Sequence, residues 1–319
     1  MIDLNTFANK LSKEESVALF CHIRPDGDTV GSAVALKLAL EHKGVKATVF
    51  CNDPVPERFF FQPHVCEIAS DFKGDFSALV AVDSADENRL GDFAEAFLKH
   101  KNTYSIDHHV SNTRYAKYNY VLDSSANAEN VYNLIKLLGV EINGDIANLL
   151  AMGIITDTGN FRHKNVSAQT FAVMGELVSK GADVNKIVYN MFTKQSPERA
   201  KLFGLVMSKI RYFHNGRFAV ATVTSAQFEQ TGAKQDESEG FIDFVMGIMG
   251  VEVGACVMEM SENKYKISLR SNTNANVNNV AGAFGGGGHV LASGCRISGD
   301  YEDVIDRLCF EVSKELIDL

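Results

Sequence analysis

The stretch SIDHHVSN, residues 105–112, sets an aspartate and two histidines side by side behind a short apolar-leaning segment. Neighbours on a strand point to opposite faces, so Asp107 and His109 would share one face while His108 points away. Such a trio could be a metal site, a proton relay or a polar loop, depending on what else reaches it. Three further apolar segments end in acids. FCHIRPDGD carries His22, Asp26 and Asp28, LVAVDSAD carries Asp83, and AMGIITDTGNF carries Asp157. In open parallel sheets ligands bind beyond the carboxyl ends of the strands, which would gather these acids and imidazoles along one edge. Crowded carboxylates repel one another, so four together call for compensating positive charge. Two divalent cations would balance them. Mixed imidazole and carboxylate donors suit Mn, Fe, Co or Zn better than Mg alone, and a metal pair about 3.5–4 Å apart clamps an in-line phosphoryl displacement.

Each piece also has a plainer reading. PDGD alone is a turn signal, an acid such as Asp83 can be a helix cap, and an isolated histidine is more often structural than a ligand. On that ground His42, His64, His100, His163 and His214 are taken as ordinary surface or core residues. Recurrence of acids at segment ends is what favours a metal centre.

The elements that must position these residues alternate. Strands are expected at 16–23, 46–51, 77–84 and 102–107, and helices at 29–44, 92–101, 128–139, 145–155 and 168–180. Alternation of this kind argues for a parallel sheet flanked by helices. Near residue 190 the pattern changes. Ser196 as N-cap and Pro197 at the first helical position open a helix over 196–210, expected to bridge two domains. An Asn-Gly signal then marks a hairpin over 210–223. Helices at 225–231 and 239–249, strands at 254–260 and 264–271, and a last helix at 301–317 complete an α+β half. The fold expected is α/β: a catalytic domain over 1–190, a linker helix over 191–209, and a smaller α+β domain over 210–319.

Composition narrows the function. The chain has 319 residues, 45% hydrophobic and 22% charged, enough for two domains. A formal charge of −9 disfavours a protein that grips long nucleic acid by general electrostatics. There is no apolar run long enough for a membrane span and no signal-peptide pattern at the start. Six scattered cysteines without a CxxC pair suit a reducing cytoplasm.

Together the motifs are similar to those of a known family. HIRPDGDTVGS (22–32), VDSAD (82–86), IDHHVSN (106–112) and GIITDTGNF (153–161) resemble, in order, four motifs of the DHH phosphoesterase superfamily. FGGGGHVLASG (284–294) resembles the glycine-rich motif of its DHHA1 domain. In size the chain is most similar to the NrnA type, which acts as a nano-RNA exonuclease and pAp phosphatase. The resemblance implies two Mn ions: one held by His22 and Asp26, the other by Asp28, His108 and Asp157, with Asp83 bridging. It implies that Asp107 orients an imidazole and that His109 faces the phosphate. Water acidified by the two cations would attack phosphorus in line.

Four consecutive glycines let backbone come close to a ligand and could aim several N–H groups at an anion. Gly286, Gly287, Gly288 and His289 are therefore expected to hold the substrate's phosphate in a cleft between the domains, and the resemblance implies that Arg270 and Ser271, from SLRSN, line the phosphate or base site there. The expected partners are short RNA oligonucleotides, shortened to mononucleotides, and 3'-phosphoadenosine 5'-phosphate (pAp). Cyclic or linear dinucleotides such as c-di-AMP and pApA are the alternative. An inorganic pyrophosphatase would lack the FGGGGH loop, and an exonuclease for long DNA would need further DNA-gripping segments. A sensor that only binds nucleotides would have no use for four crowded carboxylates.

Overall fold

The computed structural model describes residues 1–316, so the final residue of the helix expected over 301–317 lies outside it. The chain forms two compact units, the second beginning at Gln195.

In the first unit, β1 (Ser16–Phe20), β2 (Lys46–Phe50), β3 (Ala78–Val82), β4 (Thr103–Asp107) and β5 (Tyr118–Val121) form a sheet in the order β2-β1-β3-β4-β5. Every pairing in it is parallel. Seven α-helices belong to this unit: α1 (Leu4–Leu11), α2 (Gly27–His42), α3 (Ala94–Lys99), α4 (Asn127–Leu137), α5 (Gly144–Asp157), α6 (Ala168–Ser179) and α7 (Val184–Val188). The sheet is buried on both faces, as an all-parallel sheet requires. Val17 and Leu19 of β1 pack with Phe7, Val34, Leu134 and Leu150. The alternate residues Ala18 and Phe20 pack with Phe50, Phe93 and Phe97.

Strand order reverses between β1 and β3, and in open α/β sheets such a switch point is where ligands bind. The expected strands 16–23 and 77–84 stop earlier, at Phe20 and Val82; the second is ended by Asp83, whose backbone is left-handed with φ of 58°. Helix α5 carries Asp157 as its last residue, so this acid sits at a helix C-terminus and not on a strand. Helix α1 and strand β5 had no counterpart in the expected elements. Within β5 only Asn119 is fully buried, so this edge strand has no apolar run to betray it.

The second unit is built on a mixed sheet. Its strands are β6 (Arg211–Phe213), β7 (Phe218–Val223), β8 (Val253–Ser261), β9 (Lys264–Ser271), β10 (Gly287–His289) and β11 (Ala292–Ser298), in the order β10-β11-β9-β8-β7-β6. Only β7 and β8 pair in parallel. Its helices are α8 (Pro197–Met207), α9 (Ser225–Thr231), α10 (Phe241–Met246), α11 (Val277–Gly282) and α12 (Tyr301–Ser313). Ser196 caps α8 through the Arg199 N–H, with Pro197 in the first turn. This helix does not stand apart as a linker: Leu202 and Val206 enter the second unit's core beside Ala219, Ala221 and Phe241. Among the described residues no helix is long and apolar enough to cross a membrane.

Candidate active site and metal centre

The carboxyl ends of β1, β3 and β4 present the histidines and acids of the motifs together. Asp26 caps α2 by accepting from the N–H groups of Asp28 and Thr29. This turn places Asp28 one residue inside the helix, where it is 1% exposed. Asp28 Oδ2 accepts from the Asn127 N–H at 2.6 Å, and Oδ1 accepts from the Ala128 N–H at 2.9 Å and the Ser32 hydroxyl at 3.1 Å. A carboxylate thus sits on the first amides of α4, where the helix dipole favours negative charge. Close packing of α2 on α5 brings Asp157 into range. A methyl at Gly31 would lie 2.3 Å from the Leu149 carbonyl oxygen, and one at Gly153 would lie 2.7 Å from Asp28 Oδ1.

Two groups of potential ligands divide the six motif positions, His22 with Asp26 and Asp83, and Asp28 with His108 and Asp157; a third, Asp83 with His108 and His109, overlaps both, and in each the donor atoms lie within 4.8 Å of one another. His22 Nε2 lies 3.5 Å from Asp26 Oδ2 and 3.7 Å from Asp83 Oδ2. His108 Nε2 lies 3.4 Å from Asp83 Oδ1 and 3.7 Å from Asp157 Oδ2. Asp83 therefore turns one oxygen toward each group. Its backbone is left-handed, a conformation that is costly for an aspartate and tends to persist at functional sites.

The DHH triplet divides. Asp107 closes β4, and both histidines follow the strand. His108 donates from Nδ1 to the Ser124 carbonyl at 3.0 Å, which fixes Nε2 as the nitrogen facing the acids. Asp107, fully buried, accepts from His109 Nδ1 at 2.8 Å and from the Asn112 side-chain amide at 2.6 Å. His109 Nδ1 is also 3.7 Å from Asp83 Oδ1, while its side chain is 42% exposed. With Nδ1 given to Asp107, Nε2 is the nitrogen left for a substrate oxygen.

The charges are unbalanced. Burial pushes the carboxyl of Asp28 well above its usual range, and repulsion from Asp157 and Asp26 adds to it. Burial does the same to Asp83, reinforced by Asp28, Asp26, Asp107 and Asp157. Asp157 is also raised, by burial, with His108 opposing. At Asp26 burial acts upward too, but hydrogen bonding and charge from His22 outweigh it and leave this acid below its usual range. Burial likewise acts upward on Asp107, and His109 with Asn112 overcomes it. The hydrogen bond to Asp107 in turn raises His109.

Asp83 Oδ1 is buried and has no hydrogen-bond partner, although two imidazoles face it. An orphaned carboxylate oxygen between two mixed imidazole–carboxylate groups fits a pair of divalent cations. Asp157 fits the same way, since an acid at the negative end of α5 gains from a nearby cation.

Sequence reasoning passed over five contributing residues. They are Asn112, the amides of Asn127 and Ala128, Arg89, whose Nη2 is 2.9 Å from His22 Nδ1, and His163. Expected to be an ordinary residue, His163 instead sets its Nδ1 3.1 Å from the Asp157 carbonyl oxygen, and its charge favours the ionised form of Asp157. Asn112 belongs to the quoted IDHHVSN motif; Arg89 lies six residues past Asp83 in VDSADENRLG, with no local pattern to mark it.

In the second unit, Arg270 is the penultimate residue of β9, opposite Ala292, and β11 pairs in turn with the glycine run. The run is a hairpin edge and not an open loop of free amides. The N–H groups of Gly285, Gly286 and Gly288 donate to the Gly282 carbonyl, the Ala281 carbonyl and Asn278 Oδ1. Glycine is needed for close strand approach: a methyl at Gly286 would lie 2.3 Å from the Gly294 oxygen, and one at Gly288 would lie 2.5 Å from the Ala292 oxygen. His289 is exposed at the end of β10. Arg270 donates to the Leu269 carbonyl at 3.0 Å, and Ser271 is buried beneath the neighbouring turn, its hydroxyl accepting from the Thr273 N–H.

Acids and imidazoles gathered at the switch point of a parallel sheet suit metal-assisted hydrolysis of phosphoesters. Residues 16–154 match the DHH family, N-terminal domain, and residues 215–317 match the DHHA1 domain. The chain is 32% identical over 307 residues to the bifunctional oligoribonuclease and PAP phosphatase NrnA of Thermus thermophilus, covering 95% of this chain and 91% of that protein. It superposes with TM-score 0.86 at 23% identity on an exopolyphosphatase-related protein from Bacteroides fragilis, covering 98% of this chain and 95% of that one. A more distant match is RecJ of Thermus thermophilus in complex with Mn2+, with TM-score 0.54, 14% identity, 98% of this chain and 55% of that one. The chain belongs to the DHH/DHHA1 phosphoesterase superfamily, in which it is NrnA-like. It is a hydrolase of phosphate esters.

Proposed function

We propose that this protein is a Mn-dependent phosphoesterase that shortens short oligoribonucleotides to mononucleotides and converts pAp to AMP. The observation that carries the metal dependence is Asp83, with one oxygen toward each ligand group and its Oδ1 unpartnered. His22 and Asp26 would hold one ion and Asp28, His108 and Asp157 the other, with Asp83 between them. The bound ions would supply Lewis acidity and offset charge gathering on the phosphoryl oxygens. His109, kept cationic more readily by Asp107, would donate from Nε2 to a phosphoryl oxygen as charge develops there. The glycine hairpin would act through the His289 side chain and its exposed surface, with Arg270 and Ser271 as further contacts to the substrate's non-reacting end. The substrates follow those named for the Thermus thermophilus relative. The six cysteines of this chain are all free, which supports a reducing cytoplasm as the location of this protein.

The test is a Mn-supplemented panel of pAp, a five-nucleotide RNA, pApA, pGpG and c-di-AMP, read by chromatography. Turnover of pAp and the RNA is expected. Turnover confined to the dinucleotides would overturn the substrate assignment. Asp83→Ala and Asp157→Ala are expected to abolish turnover together with Mn binding measured by calorimetry. A wild-type rate in Asp83→Ala at excess Mn would defeat the two-ion scheme.

A further inference from the structure

Arg89 is a cation in a site crowded with acids, and no carboxylate claims it. Among the described residues it forms no ion pair; its close polar contact is Nη2 to His22 Nδ1, at 2.9 Å. That contact cannot be an ordinary hydrogen bond if His22 serves the acids. His22 Nε2 faces Asp26 and Asp83, and ligation through Nε2 leaves the proton on Nδ1. Nδ1 then donates to the Ile23 carbonyl at 2.9 Å. A guanidinium has only donors, so Arg89 meets a donor, and its N–H groups remain for another acceptor.

The backbone holds this side chain firmly. Asp86 caps the 3-10 turn Glu87–Phe93 through the Asn88 N–H, and Leu90 and Phe93 are buried in the aromatic cluster beneath. Ile23 N–H donates to the Arg89 carbonyl at 2.7 Å. Gly91 allows the close approach, since a methyl there would lie 2.8 Å from Ile23 Cγ2. The Arg89 charge is also felt at His109. The guanidinium thus lies against His22, half-buried and, among the described residues, without an anionic partner.

We propose that Arg89 binds the scissile phosphoryl group, presenting its planar donor fork to the non-bridging oxygens. This rests on the phosphoesterase reading above and adds a substrate contact from the turn after Asp83. The fork geometry distinguishes arginine from lysine, so Arg89→Lys should not restore what Arg89→Gln loses.

The test compares the wild-type chain, Arg89→Gln and Arg89→Lys on pAp and a five-nucleotide RNA with Mn. Mn affinity and AMP affinity by calorimetry, and the thermal midpoint, are measured alongside. The expected result is a fall in kcat/KM of about 10²-fold for Arg89→Gln on both substrates, with AMP binding weakened about tenfold. Mn affinity and thermal midpoint stay at wild-type values, and Arg89→Lys recovers less than half of the loss on a logarithmic scale. Wild-type kinetics in Arg89→Gln would overturn the assignment. So would loss of Mn binding in that variant, since Arg89 would then act through His22. Failure of the wild-type chain to hydrolyse any phosphoester would defeat the parent reading itself, a result separable from either of these.

Discussion

Among individual residues, Asp107 shows how one buried acid sets a neighbour's chemistry. It accepts from both His109 Nδ1 and the Asn112 amide, so it fixes which nitrogen of His109 is free. Asp107→Asn keeps the shape but removes the charge that raises His109. We expect kcat/KM on pAp to fall about 10–100-fold, the range for losing a partner that orients a site residue, while Mn affinity by calorimetry changes little. Unchanged kinetics would show that His109 needs no carboxylate behind it. The motif residues themselves were legible because acids and histidines recur at segment ends. The roles within DHH were not, because the side-chain direction of His108 depends on a carbonyl at Ser124, sixteen positions away.

Among elements, the site depends on α2 and α5 approaching closely enough for Asp28 and Asp157 to share one group. Gly153 permits this, and its added methyl would meet both Asp28 Oδ1 and Ala128 Cβ below 3 Å. Gly153→Ala should therefore destabilise by about 1–3 kcal/mol through overpacking and weaken Mn binding. Gly175, inside α6, has open space around it, with nothing within 4 Å of where a methyl would stand. Gly175→Ala should raise stability by about 0.5–1 kcal/mol and leave Mn affinity alone. Chemical denaturation checks both; equal effects from the two substitutions would mean that the α2–α5 contact is not what constrains Gly153. The long, strongly apolar elements were readable from sequence, including α2, although its start at Gly27 and its Asp26 cap came only with the structure. Strand β5 and the 3-10 turn bearing Arg89 were not, because neither carries a period of its own.

For the whole molecule, the crowded acids link stability to pH and metal. Asp28 and Asp83 have raised pKa values in the folded chain, so between the ordinary value near 3.8 and the raised one the folded state binds more protons than the unfolded state. Stability from these groups therefore falls as pH rises through that window. Metal needs the deprotonated carboxylates and stabilises only the folded chain. In the metal-free protein the thermal midpoint should decline from pH 5 to pH 8, and the gain on adding Mn should be larger at pH 8. Differential scanning calorimetry checks this; an Mn-induced gain independent of pH would show that these acids do not receive the metal.

The sequence by itself determined the residue types at the site, the alternation that makes a parallel sheet, and the switch to an α+β second half, since these follow from local periodicity, capping and turn chemistry. It also carried the motifs that mark the superfamily. Tertiary structure alone decided which atoms meet. Asp28 is held by amides 99 and 100 residues away, Arg89 reaches His22 across 67 residues, and the glycine run became a strand only by pairing with β11. Such meetings are set by strand order and helix packing, and a side chain's partners across a fold leave no periodic trace in the chain that supplies them.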